Sequence, residues 1–435
     1  MFSTVDEASV DTRTGRIYEH GWQSWSPTAA YQLTATSTRP EHGWQQVMRF
    51  RPETPAPQRG FQGEGLLVLD PGEGPVRVYT AADPTRAVAS IRAVLVDDHV
   101  IVTADGPVNV TRFAGGIGGA LVTFADQCAA QLGAPPPRPP PTVWCSWYRY
   151  FHNVTEADVV ENIDQITQHD LPIDVVQLDD GWQAEVGDWL HLSDRFGSLS
   201  DLAKRIHDTG RRAGIWLAPF TAGSNSLLAR EHPNWLTGDG GANWNQELHG
   251  LDVTNPGAGE YLRTVFERLV GAGFDYFKLD FLYTGALPGH RHEDAGPIEA
   301  YRRGLELIRD AVGPAPYLLG CGAPILPSVG LLDAMRVSPD VYNPTDTEPG
   351  SARLRGKQGT VSRAWQHGRF WVNDPDSLIA RPSFALRAEW AEVVQRYGGL
   401  RSSSDRIAEL DEWGMATTRR LLATGPGPTP FPVDP

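Results

Sequence analysis

From Val143 onward, apolar strand-like runs alternate with amphipathic helical stretches, and that alternation admits few folds. A strand followed by a helix and then another buried strand reads as a parallel βα unit with a right-handed crossover. Eight strand runs are expected: Val143–Trp147, Asp174–Asp179, Ala213–Ala218, Phe274–Phe281, Tyr317–Cys321, Ala334–Val337, Phe370–Val372 and a weak last one at Gly398–Arg401. Helical periods follow most of them, at Glu156–Gln168, Leu199–Thr209, Ala258–Val270, Ile298–Val312, Phe384–Tyr397 and Asp405–Leu422. The expected class is therefore α/β, a (β/α)8 TIM barrel, with its site at the C-terminal ends of the strands. The stretch Gly223–Leu251 exceeds an ordinary connection and should run over that face.

Residues 1–132 read differently, as short β-rich runs at Gly65–Leu69, Val76–Tyr79, Val94–Val102 and Gly119–Phe124 between Gly, Pro and Asp turns. They suggest a smaller N-terminal β-sandwich-like domain. The segment 133–141, with six prolines in nine residues, sustains neither helix nor central strand and reads as a stiff linker. The barrel domain is then 142–424, and 425–435 is expected to be a disordered tail.

Composition excludes several classes. The formal charge of −15 and the lack of a Lys/Arg cluster argue against a nucleic-acid partner. The three cysteines and twelve histidines show no metal-ligand spacing, and no phosphate- or dinucleotide-binding glycine motif occurs, so no cofactor or metal is expected. No apolar run is long enough to span a membrane, and the N-terminus lacks the basic start and apolar core of a secretory signal, which makes cytoplasmic location the expectation. Fourteen tryptophans, several beside Gly, Asp or Pro, supply flat faces of the kind on which sugar rings pack. More than half of them are expected to be core.

The chemistry should lie at the strand ends. Strand two ends in Gln177-Leu178-Asp179-Asp180-Gly181-Trp182, two adjacent carboxylates beside a stacking surface. A turn or helix cap accounts for one such Asp more readily than for two. Strand four ends in Lys278-Leu279-Asp280, and period-two alternation puts Lys278 and Asp280 on one side, where the cation would keep the carboxylate ionised. Alone, this would read as a structural ion pair. Strand six carries Arg336-Val337-Ser338-Pro339-Asp340, so Asp340 comes from the alternate strand and could face Asp280 across the mouth. Retaining glycosidases hold two carboxyl groups about 5–5.5 Å apart. Cys321 ends strand five with no His pairing signature, and Asn373, Asp374 and Asp376 at strand seven carry no assigned role.

Together these motifs, in this order from Trp144 to Leu422, resemble glycoside hydrolase family 36, the clan D α-galactosidases. The resemblance implies Asp280 as nucleophile and Asp340 as acid/base. It further implies that Asp179 and Asp180 grip the C4 and C6 hydroxyls of galactose and that Lys278 and Arg336 contact the ligand. Trp147 and Trp216 would line the sugar subsite, with Cys321 near C2, while Trp182 is the stacking surface read beside Asp179–Asp180. His20-Gly21-Trp22-Gln23-Ser24-Trp25-Ser26 is similar to an aromatic segment that reaches the site, sometimes from another subunit, which brings Trp22 and Trp25 into the expected contacts. The chain departs from the pattern in a shorter N-terminal β domain, little sequence after the barrel, and no Trp-x-Ser-Asp form at the acid/base.

The expected activity is retaining hydrolysis of terminal α-galactosyl residues of oligosaccharides or glycosides, Asp280 held low by Lys278 and Asp340 raised by burial and by the nearby negative nucleophile. Arg336 is expected to serve the sugar or Asp280 rather than Asp340. α-N-acetylgalactosaminidase or galactosyl-transfer activity on the same site is the alternative. A non-catalytic sugar-binding barrel and a Schiff-base enzyme using Lys278 are the rivals from other classes. A homo-oligomer is compatible with all of them.

Overall fold

Eight parallel strands form one sheet, each hydrogen-bonded to its neighbours in register. The computed structural model describes residues 1–37, 39–40, 49–341, 355–423, 425–427 and 430–431. The barrel strands are β10 (Thr142–Cys145), β11 (Val175–Leu178), β12 (Arg212–Leu217), β16 (Phe274–Leu279), β17 (Tyr317–Gly320), β18 (Ala334–Arg336), β19 (Val372–Asp374) and β20 (Arg401–Ser403). The N–H of Leu400, just before β20, donates to the Asn373 carbonyl of β19 at 2.9 Å, which draws the two ends of the sheet together into a TIM barrel.

Alternation along each strand divides its side chains between two cores. Phe277 turns outward onto Phe266 of the helix Pro256–Gly271, with ring centroids 5.5 Å apart. Tyr276 packs in a separate cluster with Val143, Val175, Tyr317, Leu319, Ala334, Val372 and Leu400, drawn from strands all round the sheet, which is the barrel interior. Gly214 of β12 is needed there. A Cβ on it would stand 2.9 Å from both Tyr276 Cδ1 and Val175 Cγ1.

The eight expected barrel strands are all present, with ends displaced by at most three residues. The last two begin later than expected because Trp371 and Leu400 lead into β19 and β20 rather than end them. The stretch Gly223–Leu251 forms, with its leading residues, a three-stranded antiparallel sheet of β13 (Thr221–Gly223), β14 (Leu236–Asn243) and β15 (Gln246–Leu251).

The N-terminal strands are β1 (Ser3–Ser9), β2 (Arg16–Glu19), β3 (Ala29–Gln32), β4 (Phe61–Glu64), β5 (Leu66–Asp70), β6 (Val76–Ala81), β7 (Ser90–Val96), β8 (His99–Ala104) and β9 (Val108–Phe113). They make two antiparallel sheets, β1-β8-β7-β4 and β3-β2-β5-β6-β9. Ile17, Leu67, Leu69 and Tyr79 of the second pack against Ile91, Val100 and Val102 of the first, so the arrangement is sandwich-like. The opposite face, with Leu66, Val68, Val76 and Val78, joins the barrel's outer core.

Four expectations are corrected. Gly119–Phe124 is not a strand but lies within the helix Ile117–Gln131, whose Ile117, Leu121, Phe124 and Cys128 recur at helical spacing and are buried. Val94–Val102 is a hairpin of β7 and β8 that turns at Asp97, φ 55°. The helix expected from Asp405 begins at Glu412. Asp405 is instead a buried carboxylate taken by the Ala380 N–H at 2.6 Å and by Arg381 at 2.9 Å. In the tail expected to be disordered, residues 428–429 and 432–435 lie outside the described residues, while Phe431 stacks on His367 at 3.8 Å.

Candidate active site

Register decides which strand-end side chains become neighbours. Trp216 pairs with Lys278, Gln177 with Cys145, and Arg336 with Asp374. Because every barrel strand is parallel, Asp179–Asp180, Asp280, Cys321, Asp340 and Asp376, all just beyond their strands, gather at one mouth.

Asp280 sits in a buried niche. Its Oδ2 accepts the Trp216 indole N–H at 2.9 Å and its Oδ1 accepts the Phe281 backbone N–H at 2.9 Å. Phe281 has φ 50°, a left-handed backbone that a bulky residue rarely adopts, held by rings of Trp25 and Trp244 at 5.0 and 4.9 Å. Burial raises the Asp280 carboxyl above its ordinary range, while Lys278, the Trp216 N–H, the Cys321 thiol and the Phe281 N–H pull it back. This corrects the expectation that Lys278 holds Asp280 low.

Lys278 has a different partner. Its Nζ lies 2.8 Å from Asp179 Oδ2, a buried ion pair, and Asp280 is only a more distant charge to it. The same Asp179 oxygen accepts from Gln177 Nε2 at 2.6 Å and from the Cys145 thiol at 3.3 Å. Asp180 accepts from Gln183 at 2.6 Å and from the Trp244 indole N–H at 2.8 Å, and burial raises its carboxyl. Each acid of the pair thus keeps hydrogen-bond donors, as two buried carboxyls require.

Asp340 is housed otherwise. Its side chain is 42% exposed, with Arg336 Nη2 at 2.8 Å from Oδ1 and the Trp147 indole N–H at 3.1 Å from Oδ2. Arg336 therefore does contact Asp340, against the expectation, and Asp340 is not buried. Arg336 also meets Asp376 at 2.6 Å, and its own Nε is buried with no partner among the described residues.

Cys321 joins the two halves. Its thiol reaches Asp280 and feels the charges of Arg336 and Lys278, and burial pushes it up. Its sulfur also accepts the Trp25 indole N–H at 3.2 Å. Trp25 arrives from the N-terminal sheets of the same chain. Buried Arg363 binds the carbonyls of Gln23, Ser24 and Ser26 at 2.8–3.1 Å, and the Ser24 N–H donates to the Ala323 carbonyl at 2.9 Å.

Two expected aromatics lie elsewhere. Trp182 is fully buried behind Trp216, to whose carbonyl its indole N–H donates at 2.9 Å. Trp22 is a core side chain, 2% exposed, under the segment that presents Trp25. Three residues of the mouth carried no assignment: Trp244, Tyr148 and Asp376. Trp244 occupies the β14–β15 turn with φ 50° followed by Asn245 at 57°, a tight reversal that aims its ring at Trp216 and Phe281. The Asn-Trp-Asn run in a glycine-rich excursion was its one sequence signal.

Among the described residues no group of three or more His, Cys, Asp or Glu could hold a metal, and no helix is long and apolar enough to cross a membrane.

The melibiase family model matches residues 136–295. The α-xylosidase XylQ of Lactiplantibacillus pentosus is 32% identical over 137 residues, 29% of this chain and 18% of that protein. The α-galactosidase AgaA of Geobacillus stearothermophilus is 28% identical over 218 residues, 45% of this chain and 29% of that protein. The match thus spans less than a third of either curated relative. The solved α-galactosidase of Thermus thermophilus, in complex with p-nitrophenyl α-D-galactopyranoside, superposes with a TM-score of 0.79 at 28% identity, covering 98% of this chain and 89% of that one.

Proposed function

We propose that the chain, similar to the melibiases and to the α-galactosidase of Thermus thermophilus, is a retaining glycoside hydrolase of family 36 releasing terminal α-galactosyl residues. The observation that carries the mechanism is the unequal housing of two carboxyls at the ends of alternate strands, β16 and β18. Asp280 is buried among donors, and Asp340 is partly open to solvent beside a cation.

Asp280 attacks the anomeric carbon, and the indole N–H of Trp216 and the N–H of Phe281 hold the carboxylate oriented for it. Asp340 donates its proton to the departing oxygen, whose aglycone leaves through the open side. Asp340 then takes a proton from water, which displaces Asp280 and frees α-galactose with net retention. Asp180 and the Trp147 and Trp25 rings contact the sugar, while Trp216, itself buried, orients Asp280 beside it. Asp179 fixes Lys278 at its edge, and Trp182 and Trp22 support from behind. Three free, buried cysteines suit a reducing compartment, and we place the protein in the cytoplasm.

The test is hydrolysis of p-nitrophenyl α-galactoside by the chain and by Asp280→Ala, with and without azide. Activity is expected to vanish in the variant and to return in part with azide, as β-galactosyl azide. Undiminished turnover by Asp280→Ala would remove Asp280 from the mechanism. The kinship with an α-xylosidase makes aryl α-xyloside, alongside α-N-acetylgalactosaminide, the comparison that decides the sugar. Product analysis at high sugar concentration separates hydrolysis from transfer.

A further inference from the structure

The loop 337–341 that carries Asp340 is anchored at its end by buried Asp376, which also pairs with Arg336 just before it. Nη2 of Arg336 donates to Asp340 Oδ1 at 2.8 Å and lies 2.6 Å from Asp376 Oδ2. The backbone N–H of Val341, adjacent to Asp340, donates to the same Asp376 oxygen at 3.0 Å and to the Tyr148 hydroxyl oxygen at 3.1 Å. The Tyr148 hydroxyl in turn donates to Asp376 Oδ2.

Asp376 is placed with strain. Its φ of 108° lies where side chains are rarely found, a cost of about 1–3 kcal/mol that persists only when the surroundings over-determine it. They do so here: its N–H donates to Asp374 Oδ1 at 2.9 Å, and its Oδ1 accepts the Ser377 N–H at 2.7 Å.

We propose that Asp376 is the positioning residue of the acid/base: by sharing the Arg336 cation with Asp340 and anchoring the Val341 N–H, it sets the place and the proton affinity of the Asp340 carboxyl. The proposal rests on the reading of Asp340 as acid/base. A guanidinium given wholly to Asp340 favours its ionised form and withdraws the proton that the leaving group needs. Divided between two carboxyls, the same cation leaves that proton available. The charged and titratable groups facing Asp376 are Arg336 of β18, Asp340 of the following loop, Asp374 of β19 and Tyr148 of the helix Trp147–Tyr150. Burial raises Asp376 to about 7, with Arg336 and Tyr148 opposing and Asp340 and Asp374 adding to the rise.

The test is Asp376→Asn in the full chain, with dinitrophenyl and methyl α-galactosides as substrates of good and poor leaving group. The methyl glycoside should lose roughly 10-fold or more in kcat/KM and the dinitrophenyl glycoside less than about 3-fold, because only the former needs the acid. The alkaline limb of the kcat/KM profile should move to lower pH. An equal loss on both substrates with the limb in place marks a merely structural residue and overturns the proposal. Should Asp376→Asn not fold, Tyr148→Phe removes a donor to the same oxygen while keeping the ring, and the same split, smaller, is expected; its absence counts equally against the proposal. Asp340→Ala on the same two substrates separates the underlying reading. If that variant shows no leaving-group split, Asp340 is not the acid, and the role of Asp376 falls with it.

Discussion

The indole N–H of Trp216 points at Oδ2 of Asp280 from 2.9 Å, on the neighbouring strand, where Trp216 is in register with Lys278. It is a side-chain donor to the proposed nucleophile, and it opposes the rise that burial imposes on that carboxyl.

Trp216→Phe should therefore lower kcat/KM by roughly 10- to 100-fold, the worth of a hydrogen bond to a charged group. The sign in pH follows. In the proposed mechanism Asp280 acts ionised; its carboxyl already lies above the ordinary range, and losing the N–H lets it rise further. The acidic limb of kcat/KM moves to higher pH. A pH–rate profile of the variant checks this, and an unmoved acidic limb contradicts it.

Lys278→Met tests the ion pair that the structure assigns to Asp179 rather than Asp280. Removing the cation leaves a buried carboxylate with amide and thiol donors only, and breaking such a pair costs about 3–5 kcal/mol. Urea unfolding should show a lower midpoint with an unchanged slope. A variant as stable as the parent would show that Asp179 does not depend on Lys278.

Trp244→Phe retains a ring against Trp216 and Phe281 but deprives Asp180 of its indole donor. KM for the aryl galactoside should rise roughly 3- to 10-fold, with kcat changed less, since one hydrogen bond that orients the proposed sugar-binding carboxyl is lost. Initial-rate kinetics decide it: a fall confined to kcat would place Trp244 in the chemical step instead.

Much of this arrangement was legible along the chain because it is local. Period-two and helical spacings are set by neighbours in sequence, so the strand–helix alternation and the barrel followed from them. So did the placing of Asp179, Asp180, Asp280, Cys321 and Arg336 at strand ends, because polar residues stand out where buried runs stop. The helix Ile117–Gln131 was misread because Gly118 and Gly119 interrupt a helical period that only its packing on β5 and β6 completes. Partnerships were not legible. Lys278 and Asp280 share a side of β16, but which carboxylate takes the ammonium depends on how β11 and β16 lean toward the interior, and Asp179 stands closer. Asp376 and Tyr148, far apart in sequence, meet only when β19 and β10 come round the same barrel. Trp244 reaches Asp180 only when the β14–β15 hairpin folds back over the mouth. The sequence by itself determined which acids stand at the barrel mouth; only the tertiary structure decided what each one touches, because a charge pair is settled by distance across strands and by burial, and neither is a property of the local chain.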